Sequence, residues 1–375
     1  MLPFLLSKLI VLVISVNTGG LRIYEMNRNI SFYHNILTKL NVIYDNSPNR
    51  LYATSDIIMV KLKPSLLLAV IFSLCALPLF SHSFERKVVQ EKQQQTFYYT
   101  WFDDQDKEQK LSFSYSNDQL FNHYRRFKGF NAQEYLDKID IKVRNTIKEF
   151  DRRKYTLETQ RKERSIEYKV YSDDKALLKD VETRVEKAKQ SARKSYLRKH
   201  HYADLEAIWA IDAVRPDLPR FVKNSYDYIS PIREAILTKF GNNVRPKTVI
   251  NFVLSWVQAM PTSELPDRFH NSGENFKPPL KLIRQQYGDV DSKLVLTSAI
   301  LKAIYPRLTI AIITSPNHAL IGLNLPIRKG DKHVEINGLK YLVGEVTGPK
   351  QYPIAEVSSS SWSMLKSKQY IVDII

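Results

Sequence analysis

The sequence predicts an α+β protein: a helical N-terminal region with a hairpin, then a central helix packed on an antiparallel sheet. Three patterns support this fold class. Aromatic and apolar residues alternate with polar ones early in the chain, which is typical of a hairpin with one buried face. Apolar residues then recur at three- and four-residue steps, as in amphipathic helices. Finally, an apolar helix precedes three short apolar runs that are separated by turn signals.

The predicted hairpin joins an aromatic run at residues 97–102 to an alternating run at residues 111–115. A polar stretch separates the two runs, and serines fill the outward positions of the second one. Ser116 or Asn117 is suited to cap a short helix directly after the hairpin. The first structural unit is therefore expected to be a hairpin followed at once by a helix.

Two longer helices follow, with a short strand predicted between them near residues 166–170. The first begins after Asn131, and the second is capped by Asp173 or Asp174. One face of the second helix is apolar and the other is basic, which fits either a polyanion-binding surface or a solvated helix face. No aromatic residues alternate with the basic ones, so base stacking has no platform and nucleic acid is disfavoured as a partner. The basic residues are Lys187, Lys189, Arg193, Lys194, Arg198 and Lys199.

The charge balance favours anionic partners. The chain has a formal net charge of +17. Residues 1–83 hold seven lysines and arginines against three acidic residues, which leaves +13 on residues 84–375. Such an excess suits nucleic acid, acidic lipid or lipopolysaccharide phosphates, or an anionic cell-envelope polymer.

The N-terminal sequence predicts export to the periplasm or secretion. Residues 59–83 begin with Met-Val-Lys-Leu-Lys, continue with a short apolar run and end in small residues, as a cleaved signal peptide does. Residues 1–58 are then an upstream extension that results from a wrong start. The alternative is a true start at Met1, in which case the uncleaved segment 64–80 could anchor the chain in a membrane.

Cysteine usage excludes several kinds of chemistry in the exported chain. The one cysteine, Cys75, lies inside the predicted signal peptide. The exported chain would therefore have no disulfide, no thiolate nucleophile and no cysteine-bound metal. His200 and His201 are adjacent, and on a helix their side chains point about 100° apart, so a surface pair is expected rather than a metal site. We expect no metal and no cofactor.

Composition changes near residues 215–245, and we place the domain boundary there. Residues 84–245 form the hairpin and the basic helical region, and residues 246–375 form a second, more apolar domain. Pro246 suits the first position of an apolar helix. The central helix is predicted at residues 294–304, and the strands at residues 308–314, 318–323 and 339–345.

The second domain has the order of parts that a thiol active site needs. A tight turn at residues 287–293 leads directly into the central helix, and a helix N-terminus lowers the pKa of a thiol placed there. His318 begins the next-but-one strand, where it could accept the thiol proton, and Glu345 ends the following strand, where it could orient the histidine. The residue at the thiol position is Val290.

These residues resemble the transglutaminase-like superfamily, whose core is papain-like. The resemblance covers residues 248–357, and five of the six residues of the family motif Gly-Asp-Cys-Asp-Ser-Lys are present. It implies a papain-like core and a degenerate triad of Val290, His318 and Glu345. The matching segments are Gly288, Asp289, Asp291, Ser292 and Lys293 around Val290, His318 to Gly322, and Tyr341 to Thr347.

The departure from the family pattern removes the nucleophile. A valine cannot attack an acyl carbon, and Ser292 is rotated by about 200° around the helix, so it does not replace the cysteine. We therefore expect a pseudoenzyme that acts as a binding or scaffold module, for peptides or cell-wall material. Two alternatives stay open: a cysteine-independent amidase, peptidase or acyltransferase that uses the same cleft, and a polyanion-binding helical protein.

Overall fold

A computed structural model describes residues 84–204, 213–241, 243–263, 275–315 and 318–375. It also places four two-residue strands nearer the N-terminus, with Val16–Asn17 paired to Gly20–Leu21 and Ile43–Tyr44 paired to Leu51–Tyr52. Met1–Leu79 and Phe80–Ile375 form two compact units. Apart from the short strands, the predicted upstream extension at residues 1–58 and the predicted signal peptide with Cys75 lie outside the described residues. In the described ranges, no helix is both long and apolar enough to cross a membrane.

The predicted hairpin is present, and a third strand extends it. Strands β2 and β3 pair antiparallel, with Phe97 opposite Phe113 and Tyr99 opposite Leu111, and β1 pairs with the outer edge of β2. Side chains alternate along β2, so that Phe97, Tyr99 and Trp101 are buried together. The bounds are Glu85–Gln90 for β1, Gln94–Phe102 for β2 and Glu108–Ser116 for β3.

A helical lobe with its own hydrophobic core follows the sheet. The helices of this stretch begin where the sequence predicts, because Ser116, Asn131 and Asp174 each cap a helix with a side-chain oxygen that accepts a backbone N–H. The hairpin β4–β5 packs beside the last helix of the lobe. Helix α1 Asn117–Asn122 precedes the lobe and buries Leu120 in the main core. The elements of the lobe are α2 Ala132–Thr146, a 3₁₀ turn Ile147–Glu149, β4 Thr156–Arg161, β5 Ile166–Tyr171 and α3 Lys175–Lys199.

The main hydrophobic core joins the aromatic face of β2 and β3 to a set of mostly apolar helices. Trp101 donates from Nε1 to the Oγ atom of Ser255 (3.0 Å), which fixes the sheet against α6. As predicted, Pro246 occupies the first turn of α6. Strands β6 Tyr202–Asp204 and β7 Val214–Pro216 come first in this stretch and contribute Tyr202 and Val214 to the core of the helical lobe. The elements of the main core that follow are α4 Leu218–Lys223, a 3₁₀ turn Asp227–Ile229, α5 Ser230–Phe240, α6 Pro246–Ala259, α7 Pro279–Gln285 and α8 Val290–Ile304.

The C-terminal part of the chain is a five-stranded antiparallel sheet in the order β10-β11-β9-β8-β12. Helix α8 packs in the main core with Ala319 and Ile321 of β9. Leu320 belongs instead to a separate cluster with Leu365 of α9, so the two helices cover opposite faces of the sheet. The elements are β8 Ile310–Thr314, β9 Ala319–Leu323, β10 His333–Ile336, β11 Leu339–Gly344, α9 Ser359–Ser367 and β12 Ile371–Ile374.

The chain is therefore a mixed α/β protein with antiparallel sheets, and three strands lie close to their predicted positions as β8, β9 and β11. The sequence did not predict the strands β1, β4, β6, β7, β10 and β12 or the helix α9. Of these, α9 matters most, because it forms a wall of the site described next.

Candidate functional site

The turn before α8 is a closed hydrogen-bonded unit. Asp289 caps the helix by accepting from the backbone N–H of Ser292 (2.8 Å), and the Ser292 hydroxyl also donates to the same Asp289 oxygen. The backbone N–H of Lys277 donates to the Ser292 Oγ atom (2.7 Å). The Ser292 hydroxyl is thus fully buried with its bonding capacity used, so its role here is structural.

Position 288 of this turn has no space for a side chain larger than that of glycine. A Cβ atom on Gly288 would lie 2.7 Å from Cδ1 of Leu282 and 3.0 Å from Cβ of Ser292. Both neighbours are fully buried, so neither has space to move away. The glycine therefore allows α7 and α8 to approach closely.

Two buried lysines hold the segments that flank the turn. Lys293 is fully buried, and its Nζ atom donates to the carbonyl oxygen of Met260 (2.6 Å) and to Oγ1 of Thr262 (2.8 Å). Burial lowers the pKa of Lys293 to about 7. Lys277 donates to the carbonyl oxygen of Tyr287 (2.9 Å), and burial lowers its pKa to about 8. Lys293 is therefore held by uncharged oxygens, whereas the nearby Asp289 carboxylate partly offsets the effect of burial on the pKa of Lys277.

Val290 is the first residue of α8 and is partly buried against the main core. It has an aliphatic side chain, so it offers neither a lone pair nor a proton for chemistry. The backbone places it at the helix N-terminus, as the sequence predicts. Its neighbour Asp291 is buried.

His318 and Glu345 are brought together by the sheet. His318 immediately precedes β9 and Glu345 immediately follows β11, which are neighbouring strands. The Nε2 atom of His318 lies 2.7 Å from Oε2 of Glu345, a hydrogen bond of charge-assisted length. The other oxygen of Glu345 accepts from the backbone N–H of Ser358 (3.2 Å), just before α9. The pair therefore also positions the start of α9.

The carboxylate of Glu345 is kept ionised by its partners. Only 3% of Glu345 is exposed, and burial by itself would raise its pKa. The hydrogen bond and charge interaction with His318, together with Ser361 and the backbone of Ser358, outweigh burial and hold the pKa of Glu345 below its usual value. The histidine side chain, by contrast, is 29% exposed, so the pair has one buried and one accessible member.

His318 and Glu345 line a cavity of about 790 Å³ on the α9 face of the sheet. The structure pairs His318 with Glu345, and α8 contributes no residue to the lining of this cavity among the described residues. The cavity has the size of a small-molecule or short-oligomer site. Its wall on α9 is formed by Ser360, Ser361, Ser363, Met364 and Ser367.

Most residues that line the cavity have polar side chains, and one of them is a cation. Lys350 lines the cavity with its Nζ atom 5.0 Å from the ring centroid of Tyr352, and it has no ion-pair partner among the described residues. Among the described residues that line the cavity, Glu345 is the one that carries a carboxylate, and its two oxygens are hydrogen-bonded to His318 and to the backbone N–H of Ser358. Hydroxyl groups and one cation are therefore available to a ligand.

Gln258 is a further residue that builds the site and that the sequence did not single out. Its Nε2 atom donates to the carbonyl oxygens of Glu345 and Tyr352 (2.9 Å each), and its Oε1 atom accepts from the Tyr352 N–H (2.8 Å). These bonds fix both ends of the loop that carries Lys350. A buried glutamine in an otherwise apolar helix is the signal that could have identified it.

The described residues contain no group of three or more His, Cys, Asp and Glu side chains placed to hold a metal ion. Comparisons of the chain with protein-family models, with curated proteins and with solved structures find no match in any of the three.

Proposed function

We propose that the protein is an exported, non-catalytic member of the transglutaminase-like superfamily, with a papain-like core. In this proposal it is a binding or scaffold module, and its ligand occupies the cavity beside His318 and Glu345. The ligand is a peptide or cell-wall fragment.

The observation that carries the proposal is the 2.7 Å pair between His318 and Glu345 at a cavity of about 790 Å³ lined mostly by residues with polar side chains. A buried carboxylate and a partly exposed histidine that meet at a cavity are more typical of a ligand site than of a folding core. The motif around Val290 supports the family resemblance, because Gly288, Asp289 and Lys293 all stabilise the turn.

The absence of a nucleophile at two positions supports a binding role. Val290 has no reactive group, and the Ser292 hydroxyl is committed to Asp289 and Lys277. His318 could still act as a base on water, which is the enzymatic alternative. Binding requires fewer assumptions, since a groove keeps its shape and its polar groups without a nucleophile.

A cavity-filling substitution tests the binding role. Ser363 lines the cavity on the exposed face of α9, so Ser363→Trp should block ligand entry. Ser359 is also exposed on α9 but is not among the described lining residues, so Ser359→Trp is the matched control. We expect soluble peptidoglycan fragments to bind the unaltered protein and Ser359→Trp in calorimetry, and Ser363→Trp to bind at least tenfold more weakly. Equal affinities for all three proteins would reject the cavity as the ligand site.

Turnover assays separate the binding role from the enzymatic alternative. We expect no hydrolysis of a peptide amide or ester by the unaltered protein. Hydrolysis that disappears in His318→Ala would show that the protein is an enzyme. Val290→Cys tests the family resemblance separately: thiol-dependent turnover that needs His318 would support it, and a reactive but inactive cysteine would count against a retained triad geometry.

A further inference from the structure

Helix α3 presents two different faces along its 25 residues, Lys175–Lys199. Its inner face is packed into the core of the helical lobe through Val181, Val185, Ala188 and Ala192. Its outer face is exposed along its length, which is about 37 Å at 1.5 Å per residue. This outer face takes no part in the cavity at His318.

The C-terminal half of the outer face carries a line of cations. Lys187, Lys194 and Arg198 are all exposed, and they follow one another at steps of seven and four residues. At about 100° per residue, these steps keep the three side chains within an arc of about 40°. The line is about 17 Å long. We call these three residues the cationic stripe.

No acidic residue interrupts this half of the helix. From residue 187 to residue 199 the chain holds six lysines and arginines and no aspartate or glutamate. Arg193 turns to Asp204 of β6, with Nη2 2.5 Å from Oδ1. In the described part of the chain, no carboxylate lies within ion-pair distance of any member of the cationic stripe. Arg220 adds positive charge at the end of the stripe, because its Nη1 atom donates to the Arg198 carbonyl oxygen (2.5 Å).

The N-terminal half of the same helix is different, which argues against a merely solvated face. There, Asp180, Glu182 and Glu186 alternate with Lys179 and Arg184, as on an ordinary exposed helix. Arg184 also lies near Glu149 (3.4 Å). Like charges four residues apart, such as Lys194 and Arg198, destabilise a helix by a few tenths of a kcal/mol. A bound polyanion would remove that repulsion.

The side chains between the cations indicate which polyanion fits. The other exposed residues of this half include Gln190, Ser191 and Ser195, and none is aromatic or aliphatic. Bases would find no stacking surface, and a bilayer would find no apolar anchor. Short serines leave open space between the cations. Two of the three cations are lysines, which bind phosphate as point charges without the bidentate geometry that arginine favours.

We propose that the cationic stripe is the docking surface for a linear phosphate polymer that lies along α3. The polymer contacts the stripe through successive phosphates and contributes no base or acyl group to the interface. The interface lies on the helical lobe and is independent of the cavity ligand proposed above.

The test uses inorganic polyphosphate of defined chain length as the probe and the full chain as the protein. Affinity is measured by fluorescence anisotropy between 50 and 200 mM salt. In a plot of the logarithm of the association constant against the logarithm of the salt concentration, each phosphate contact contributes about −0.7 to the slope. Three contacts therefore predict a slope of about −2. The stripe variant Lys187→Gln/Lys194→Gln/Arg198→Gln should bring this slope close to zero and weaken binding at 50 mM salt at least tenfold.

The control variant is Lys175→Gln/Lys179→Gln/Arg184→Gln, which removes the same charge from exposed positions of the same helix. This control variant should show the same salt dependence as the unaltered protein and should bind polyphosphate less than threefold more weakly. Equal losses in the two variants would show a general charge effect and overturn the proposal. The proposal also fails if polyphosphate does not bind at 50 mM salt, or if duplex DNA or phosphatidylglycerol vesicles bind more tightly at equal phosphate concentration. Far-UV circular dichroism of both variants establishes that α3 is intact.

Discussion

The Nζ atom of Lys293 donates to the carbonyl oxygen of Met260 at 2.6 Å, so a cationic side chain in the centre of the protein is held by a neutral backbone group. The second bond, to Oγ1 of Thr262, is also to an uncharged oxygen. These bonds join the start of α8 to the end of α6. The short bridge between Thr262 and Gly288 reinforces the same junction.

This burial predicts a pH dependence of stability. The pKa of Lys293 is about 7 in the folded chain and about 10.5 when unfolded, so between these values the unfolded chain binds more protons. The free energy of unfolding should therefore rise as the pH increases from 7 to 10.5, and below pH 7 the full cost of burying the charge remains. Lys293→Met should lose this contribution, which urea unfolding at pH 7 and pH 10 would measure. An unchanged difference between the two pH values would contradict the prediction.

The lowered pKa of Glu345 predicts a second pH dependence of stability, at acidic pH. Glu345→Gln should destabilise the protein by about 1–3 kcal/mol at pH 7, because His318 and the Ser358 N–H lose a charged acceptor. A carboxyl with a lowered pKa contributes fully above its unfolded value of about 4.5 and loses that contribution as the pH falls through its folded value. The difference in melting temperature between the two proteins should thus shrink below pH 4.5. Thr347→Val, which also alters the cavity lining, should show no such convergence.

Gly288→Ala should destabilise the fold by about 1–3 kcal/mol, because the new methyl group would overlap Leu282 and Ser292. Leu282→Ala alone should also destabilise it, by removing a buried side chain. If the overlap is the cause, the double variant should be more stable than the sum of the single effects predicts. If chemical denaturation shows that the two single effects on the free energy of unfolding are strictly additive, the destabilisation by Gly288→Ala has a cause other than overlap with Leu282.

Gln258→Met should loosen the loop between Glu345 and Tyr352 while preserving side-chain volume. Three hydrogen bonds are lost, at about 1 kcal/mol each. The Tyr352 amide should then exchange with solvent faster, whereas amides of α8 should keep their protection. Equal protection of the Tyr352 amide in both proteins would mean that the loop is held by other contacts.

Local chemistry made much of the fold predictable. Ser116, Asn131 and Asp174 begin helices in the structure because each supplies a side-chain acceptor to an otherwise unpaired N–H. Helix α9 escaped prediction because four of its first five residues are serine, a composition more typical of loops than of helices. The sequence also did not predict strand β12, which has only four residues and lies at the end of the chain.

The order of the site residues along the chain was predictable from the sequence, but the direction in which their side chains point was not. The short apolar runs place His318 and Glu345 at the ends of neighbouring strands, where they do meet. A shift of one residue moves a side chain to the other face of a sheet, and both residues lie just outside their strands. The sequence pattern therefore did not show that their cavity opens toward α9.

Trp362 lies on α9 between Ser361, which bonds to Glu345, and Ser363, which lines the cavity. The Nζ atoms of Lys332 and Lys366 are each 5.8 Å from its ring centroid, so its emission depends on the charges around α9. Trp101 and Trp256 are fully buried in the main core on the other side of the sheet. Filling of the cavity should accordingly change the emission of Trp362 while Trp101 and Trp256 contribute a constant background, and a variant that lacks Trp209, the fourth tryptophan of the sequence, gives a titration that needs no label.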